Sequence, residues 1–517
     1  MLSHKTPRAV VIGAGIGGLA AALELAARGI EVVVLERELS PGGKMRQLVL
    51  DGRPIDSGPT VLTMRWVFEQ LFESAGESLD TQIKLQRAEI LARHAWHDSP
   101  RLDLFADVAR SAEAIGDFAG AKEAARFRSF CDRAKTTYQT LEGPFIKATQ
   151  PTPLSLTRNA GLKGLGDLWR TSPFTTLWSA LGGYFHDPRL RQLFGRYATY
   201  CGSSPFDAPA TLMLVAHVEQ DGVWLVEGGM HQLAVALESC AKRQGASFRY
   251  GCDVDSIIVE RGAANGVAVA NGERISADII LVNADISAVA TGRFGPDAAA
   301  VVPPVAPASR SLSALTFSML ARTSGFPLKR HNVFFSKNYK REFDEIFDAR
   351  RIPTDPTIYV CAQDRDANAH QLADVDKMPE RLFCLINAPA FGDKRSLGTE
   401  EVERCRDRIL NLSQWAGLSL EPTGSAITTP EDFNNLFPGT GGALYGRASH
   451  GWSASFTRPT ARTKMPGLYL AGGSAHPGPG VPMAAMSGRL AAARILADLT
   501  SVRPSQRAAT SGGISMA

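Results

Sequence analysis

Gly13-Ala14-Gly15-Ile16-Gly17-Gly18 places glycines at G-x-G-x-x-G spacing near the start of the chain, and Glu36 closes the next apolar run. These residue types at these offsets suit a dinucleotide. Gly13 permits a tight turn, Gly15 lets a pyrophosphate approach the backbone at a helix N-terminus, and Gly18 lets that helix pack closely on a sheet. Glu36 would accept hydrogen bonds from an adenosine ribose. The elements that must position them are legible nearby. Arg8 to Ile12 is a short apolar run, and Gly17 to Arg28 carries Leu19, Ala22, Leu23 and Ala26 at helical spacing before Gly29 stops it. Glu31 to Leu35 is a β-branched run suited to a buried parallel strand, so the chain opens as a β-α-β unit.

The motif alone leaves NAD and FAD open. Two further segments favour FAD. Arg37 to Arg46 (RELSPGGKMR) sets Gly42, Gly43, Lys44 and Arg46 just after the ribose acid, where a second approach to the pyrophosphate is possible. Far downstream, Leu468-Tyr469-Leu470-Ala471-Gly472-Gly473 leads through Pro479-Gly480-Val481-Pro482 into an alanine-rich helix whose N-terminal amides could face a flavin. Between these ends, Glu227-Gly228-Gly229 precedes a helix ending at Gly245. Strand-like runs then follow at Val254 to Val259, Gly266 to Val269 and Asp278 to Val282. The expected architecture is α/β: a discontinuous Rossmann-type FAD-binding domain over 1–84, 226–300 and 431–500, interleaved with an α+β substrate domain over 85–225 and 301–430. Residues 501–517 read as a disordered tail.

The run ERELSPGGKMRQ, followed by Asp56-Ser57-Gly58-Pro59-Thr60, resembles the extended FAD signature of amine oxidases, protoporphyrinogen oxidases and phytoene desaturases. LYLAGGSAHPGPGVPMAAMSGR resembles the C-terminal signature of carotenoid desaturases. Ala475 stands where that signature has a threonine, and Ser474 where many relatives place an acid against the flavin ribityl chain. Glu227 to Leu233 and Asp355 to Cys361 match further desaturase segments. Phe437 to Gly446 and Ala471 to Gly480 look most like hydroxycarotenoid 3,4-desaturases. The resemblance implies FAD held by Gly13, Gly15, Gly17, Gly18, Glu36, Arg37, Gly43, Lys44, Arg46, Val254, Gly473, Ser474, Gly480, Val481 and Pro482. It also implies an acyclic carotenoid substrate, hydride transfer to flavin, reoxidation by oxygen or a quinone, and peripheral attachment to the cytoplasmic side of a membrane. A multi-step phytoene desaturase remains an alternative. So does a flavin amine oxidase, for which Tyr445 and Trp452 could supply an aromatic cage, and a non-catalytic nucleotide-binding protein is weaker still.

Other candidates carry less. His94 and His97 could meet on a helix but have no third metal ligand nearby. Ser474 lacks the G-x-S-x-G elbow of a hydrolase. His476 is balanced between approaching the flavin and packing against Pro477. Glu219 and Asp221 could reach a substrate channel, although a solvated turn is the commoner outcome, and no catalytic acid or base is named. Leu162 to Phe185, with Trp169, Trp178, Lys163 and Arg170, is either a lipid-headgroup contact or a core or lid segment.

Composition narrows the classes. The 517 residues are 44% hydrophobic and 21% charged, and 56 basic against 52 acidic side chains leave a net charge of +4, too balanced to argue for nucleic acid. Seven scattered cysteines contain no C-x-x-C pair and fit a reducing cytoplasm. The N-terminus lacks a signal-peptide pattern. Met465 to Gly488 is uncharged and long enough to span a bilayer, but Pro477, Pro479 and Pro482 break it.

Overall fold

The computed structural model describes residues 6–97, 100–151, 174–365 and 379–501. The opening apolar runs form the centre of a five-stranded, all-parallel sheet. Its order is Leu468–Leu470, Ile279–Val282, Arg8–Ile12, Glu31–Leu35 and Ser247–Arg249. Strands buried on both faces need continuous apolar sequence, which RAVVI, EVVVL and IILV supply. The first helix, Ile16–Ala26, lies against the last, Val481–Ser501. Their approach is so close that a Cβ on Gly488 would stand 2.0 Å from the Gly17 carbonyl oxygen. The first and last helices therefore meet beside the glycine turn.

A second, seven-stranded mixed sheet runs Leu418–Thr428, Ser313–Gly325, Glu380–Ala388, Ile358–Ala362, His331–Phe334, Ile90–Ala95 and Leu102–Phe105. Helices such as Ala121–Leu141 and Pro188–Gly195 build an aromatic core beside it, in which Phe127, Phe130, Phe185 and Phe194 are buried together. A three-stranded antiparallel sheet joins Val254–Glu260, Ala263–Val269 and Arg274–Ser276.

Several sequence expectations change here. The short strands Ser247–Arg249 and Arg274–Ser276 have no counterpart in the apolar pattern, because three residues carry no measurable period. His94 sits in the strand Ile90–Ala95, not on a helix. It is buried, while His97 stacks on Trp415 with ring centroids 3.8 Å apart. Among the described residues no group of histidines, cysteines and carboxylates could hold a metal. Glu219 belongs to the helix Leu214–Asp221 and is buried rather than solvated; Asp221, at the end of that helix, is exposed. Trp178 is packed on Phe206, with the Arg191 guanidinium over its ring. Trp169, Lys163 and Arg170 lie outside the described residues, as does the tail beyond Ser501. No helix among the described residues is long and apolar enough to cross a membrane.

Candidate active site

The glycine turn follows the strand Arg8–Ile12 and is closed by Gly13 N donating to Leu35 O at 2.8 Å. Gly13 has φ +98°, a conformation L side chains rarely adopt. A Cβ on Gly18 would stand 2.1 Å from the Gly13 carbonyl oxygen, so that position is set by packing. Gly15 differs. A Cβ there would meet only Asn283 Nδ2, at 3.0 Å, which leaves open backbone at the N-terminus of the first helix. The following loop crosses directly over this turn: Gly42 N donates to Ala14 O at 2.8 Å, and a Cβ on Gly43 would lie 3.2 Å from Gly15 Cα.

Glu36 is buried, and its carboxylate accepts from Ala14 N at 2.6 Å and Glu38 N at 2.9 Å. Burial raises its pKa above the ordinary carboxylate value, against these two bonds. Arg37 turns away and donates to Asn435 O and Leu436 O, tying down the helix Pro430–Leu436. Val254 is buried in the apolar cluster that also holds Ile12, Leu35 and Cys252. Lys44 Nζ donates to Leu444 O at 2.5 Å, and Arg46 Nη2 to Thr428 Oγ1 at 2.7 Å. Burial lowers the pKa of both cations.

The C-terminal segment arrives on the other side. Gly480 O accepts from Ala484 N as the last helix begins, and Ser474 Oγ accepts from Ile286 N at 3.0 Å. His476 Nε2 lies 2.9 Å from Ala148 O and its ring meets Phe145 edge-on. Burial pushes its pKa down to about 4.

Two residues the motifs did not announce join these segments. Asn283, just beyond the strand Ile279–Val282, donates from Nδ2 to Gly13 O, and its side chain lies within reach of Cβ positions on Gly15, Gly17, Gly18 and Gly472. Its place at the carboxyl end of a parallel strand was the available signal. Arg458, 5% exposed, donates to Tyr445 O, Gly473 O and Arg447 O. Burial lowers it to about 10. Neither Lys44 nor Arg458 has a carboxylate in ion-pair contact among the described residues. A buried cation without a partner is costly unless something anionic or hydrogen-bonding shares its site.

Beside this cradle opens a cavity of about 610 Å³. Lys44, Arg46, Gly480, Val481 and Pro482 line it, whereas Gly13, Gly15, Gly17, Gly18, Glu36, Arg37, Gly43, Val254, Gly473 and Ser474 do not. Leu141, Phe145, Leu212, Val215, Val333 and Phe383 make much of the wall apolar. Phe174 and Trp452, 65% and 46% exposed, pair at 5.4 Å and also line it, which puts aromatic surface where the cavity meets solvent. Glu219 reaches this wall too. It accepts from Tyr197 Oη at 2.8 Å, and burial raises its pKa. The open backbone at Gly15, the crossing glycine loop and the unpaired buried cations fit a flavin dinucleotide.

The family model for flavin containing amine oxidoreductase matches residues 16–496. Hydroxyneurosporene desaturase of Rubrivivax gelatinosus is 53% identical over 99% of this chain and 97% of its own length. The protein of the same name from Cereibacter sphaeroides is 45% identical over 96% and 98%. The 4,4'-diapolycopene oxygenase of a Methylomonas species is 30% identical over 96% of this chain and all of its own. Among solved structures, a redesigned putrescine oxidase superposes with a TM-score of 0.60 at 15% identity, covering 95% of this chain and 99% of that one, a likeness of fold alone.

Proposed function

Because this chain belongs to the family of flavin-containing amine oxidoreductases, we propose that it is an FAD-dependent desaturase of an acyclic forty-carbon carotenoid, acting at the 3,4 bond of a 1-hydroxy or 1-methoxy chain. The observation that carries the reading is the apolar cavity opening beside the cofactor cradle, in a chain similar over nearly its full length to hydroxyneurosporene desaturases. In this reading Gly13, Gly15, Gly43 and the N-terminus of the first helix receive the pyrophosphate. Glu36 and Val254 flank the adenosine, and Lys44, Arg458 and the Gly480-Val481-Pro482 turn flank the ring system. The bound flavin supplies the hydride acceptor.

What the protein adds is placement and dryness. Leu212, Val215, Val333 and Phe383 exclude water and hold a polyene along the cavity. A conjugated chain spreads the positive charge left by hydride loss, so proton departure needs no strong base. Among the described residues the wall carries one carboxylate, Glu219. Tyr445 and Trp452 both line the cavity, and turnover of an amine series separates the amine oxidase alternative from the desaturase.

The same reading narrows the membrane contact to Phe174, inside Leu162 to Phe185, with Trp452 beside it. A carotenoid must be collected from a bilayer, and the exposed Phe174 and Trp452 pair at the cavity mouth is the surface we assign to that contact, in a peripheral attachment. Reoxidation by oxygen or by a quinone is distinguished by anaerobic turnover with added quinone. The function is tested by the carotenoid profile of cells that accumulate hydroxylated acyclic precursors, with and without this protein. A profile that does not change would sink it.

A further inference from the structure

We propose that a polar cluster in the otherwise apolar cavity wall, formed by Thr60, Arg196, Tyr200, His331 and Tyr359, holds the oxygen at the functionalised end of the substrate and sets the preference for hydroxylated over hydrocarbon chains. The inference rests on the carotenoid reading above and deepens it.

All five residues line the cavity, and they come from four separate stretches of chain. Tyr359 Oη stands 2.6 Å from Thr60 Oγ1 and 2.8 Å from His331 Nδ1. The Arg196 guanidinium lies over the rings of Tyr200 and Tyr359, 5.4 Å from each centroid, and donates to Tyr200 Oη at 3.2 Å. It has no carboxylate in ion-pair contact among the described residues; the nearby Glu219 accepts from Tyr197 and interacts with Tyr200 as well. His331 is 2% exposed, and its Nε2 has no hydrogen-bond partner among the described residues. Desolvation keeps that ring neutral, with a pKa near 3.

Polar groups of this density are expensive beside hydrocarbon, because each one left unpaired retains its desolvation cost. A neutral hydroxyl answers both needs at once. It accepts from a cationic or phenolic donor such as Arg196 or Tyr359, and it donates to a nitrogen or oxygen lone pair. A plain hydrocarbon end does neither. A site built to bond a hydroxyl therefore discriminates strongly against the analogue that lacks it.

The position also fits the chemistry. The oxygenated carbon of such a substrate lies two carbons from the bond to be desaturated, so its anchor must sit beside the cofactor. The charge of Arg196 is felt by Tyr445, whose carbonyl is bonded by Arg458, and Arg458 in turn reaches Gly473 O. Gly446 packs against Ser474 of the same C-terminal loop. On the other side, Thr60 follows Gly58, which packs on the Lys44 carbonyl. The cluster thus shares one cavity with Lys44, Arg458 and the Gly480-Val481-Pro482 turn.

The test uses the holoenzyme in liposomes with a 1-hydroxylated acyclic carotenoid and its hydrocarbon counterpart. Tyr359→Phe and Arg196→Met are compared with wild type, with flavin content measured in each. Wild type is expected to prefer the hydroxylated chain. Each variant should lose about tenfold or more in kcat/KM on that chain and under about threefold on the hydrocarbon. Should Arg196→Met lose flavin, Tyr359→Phe, which deletes one oxygen and keeps the ring, decides alone. Equal losses on both substrates, or a wild type without preference, would overturn the proposal. A wild type inactive on every acyclic carotenoid would instead overturn the functional reading on which it rests.

Discussion

At the dinucleotide turn the surface is made by backbone, with Gly13, Gly15 and Gly18 within one short segment and a Cβ at Gly18 excluded by a carbonyl 2.1 Å away. Across the cavity the surface is made by side chains, and Thr60 meets Tyr359 from 299 positions along the chain. The first region tolerates almost no change because shape there is a matter of missing atoms. The second can be altered one functional group at a time, since rings and stems keep their packing when a hydroxyl is removed. Local spacing therefore specifies cofactor geometry, and long-range register specifies what the cavity can recognise.

The sharpest way to break this contrast is Gly15→Val. Its Cβ would stand 3.0 Å from Asn283 Nδ2, a side-chain end that can shift by a few tenths of an ångström, so the protein should fold, while the side chain fills the space a pyrophosphate needs. Flavin absorbance should disappear with far-ultraviolet circular dichroism unchanged. Wild-type flavin occupancy in that variant would contradict the assignment.

On the cavity side, Glu342 is buried against Thr357 and Ser336, and desolvation raises its carboxyl to about 7 from an ordinary 4.5. A folded-state pKa raised above the unfolded one means that the folded form favours the proton. The stability this contributes is present below about pH 4.5 and lost as pH rises through about 7. Its size is about 3 kcal/mol, from 1.36 kcal/mol per unit. Urea midpoints of wild type should therefore fall more between pH 5 and pH 8 than those of Glu342→Gln. Identical pH dependence would show that this carboxyl does not titrate in the window.

Glu36→Ala is expected to weaken flavin binding by about 1.5 to 3 kcal/mol, since it deletes charged hydrogen bonds to the ribose and frees Ala14 N and Glu38 N. Titration of apoprotein with FAD reads this directly. An unchanged Kd would move the ribose elsewhere. The smallest effect belongs to the cavity mouth. Phe174→Ala with Trp452→Ala should reduce liposome flotation a few-fold, with flavin content retained. Equal flotation would place the lipid contact on another surface.

The β-α-β unit, the glycine loop over it, Glu36 and the Leu468 to Val481 segment were all legible in the chain as written. Each is announced by glycine and apolar spacing within a short stretch of chain, even where its partner is distant, as Leu468–Leu470 is from Ile279–Val282. The pairing of the chain's two ends was legible as well, because a flavin needs more cradle than one turn supplies. Asn283, Arg458 and Arg196 were not. Nor were the fates of His94, on a strand, of Trp178, packed against Phe206, or of His476, held by Ala148. What a side chain faces depends on strand register and helix docking over hundreds of residues, such as Ser313–Gly325 pairing with both Glu380–Ala388 and Leu418–Thr428. No spacing along the chain encodes that direction. The sequence by itself determined where the glycine turn suited to a dinucleotide lies; the tertiary structure alone decided which polar groups face the cavity beside it, because burial and orientation are properties of the assembled core.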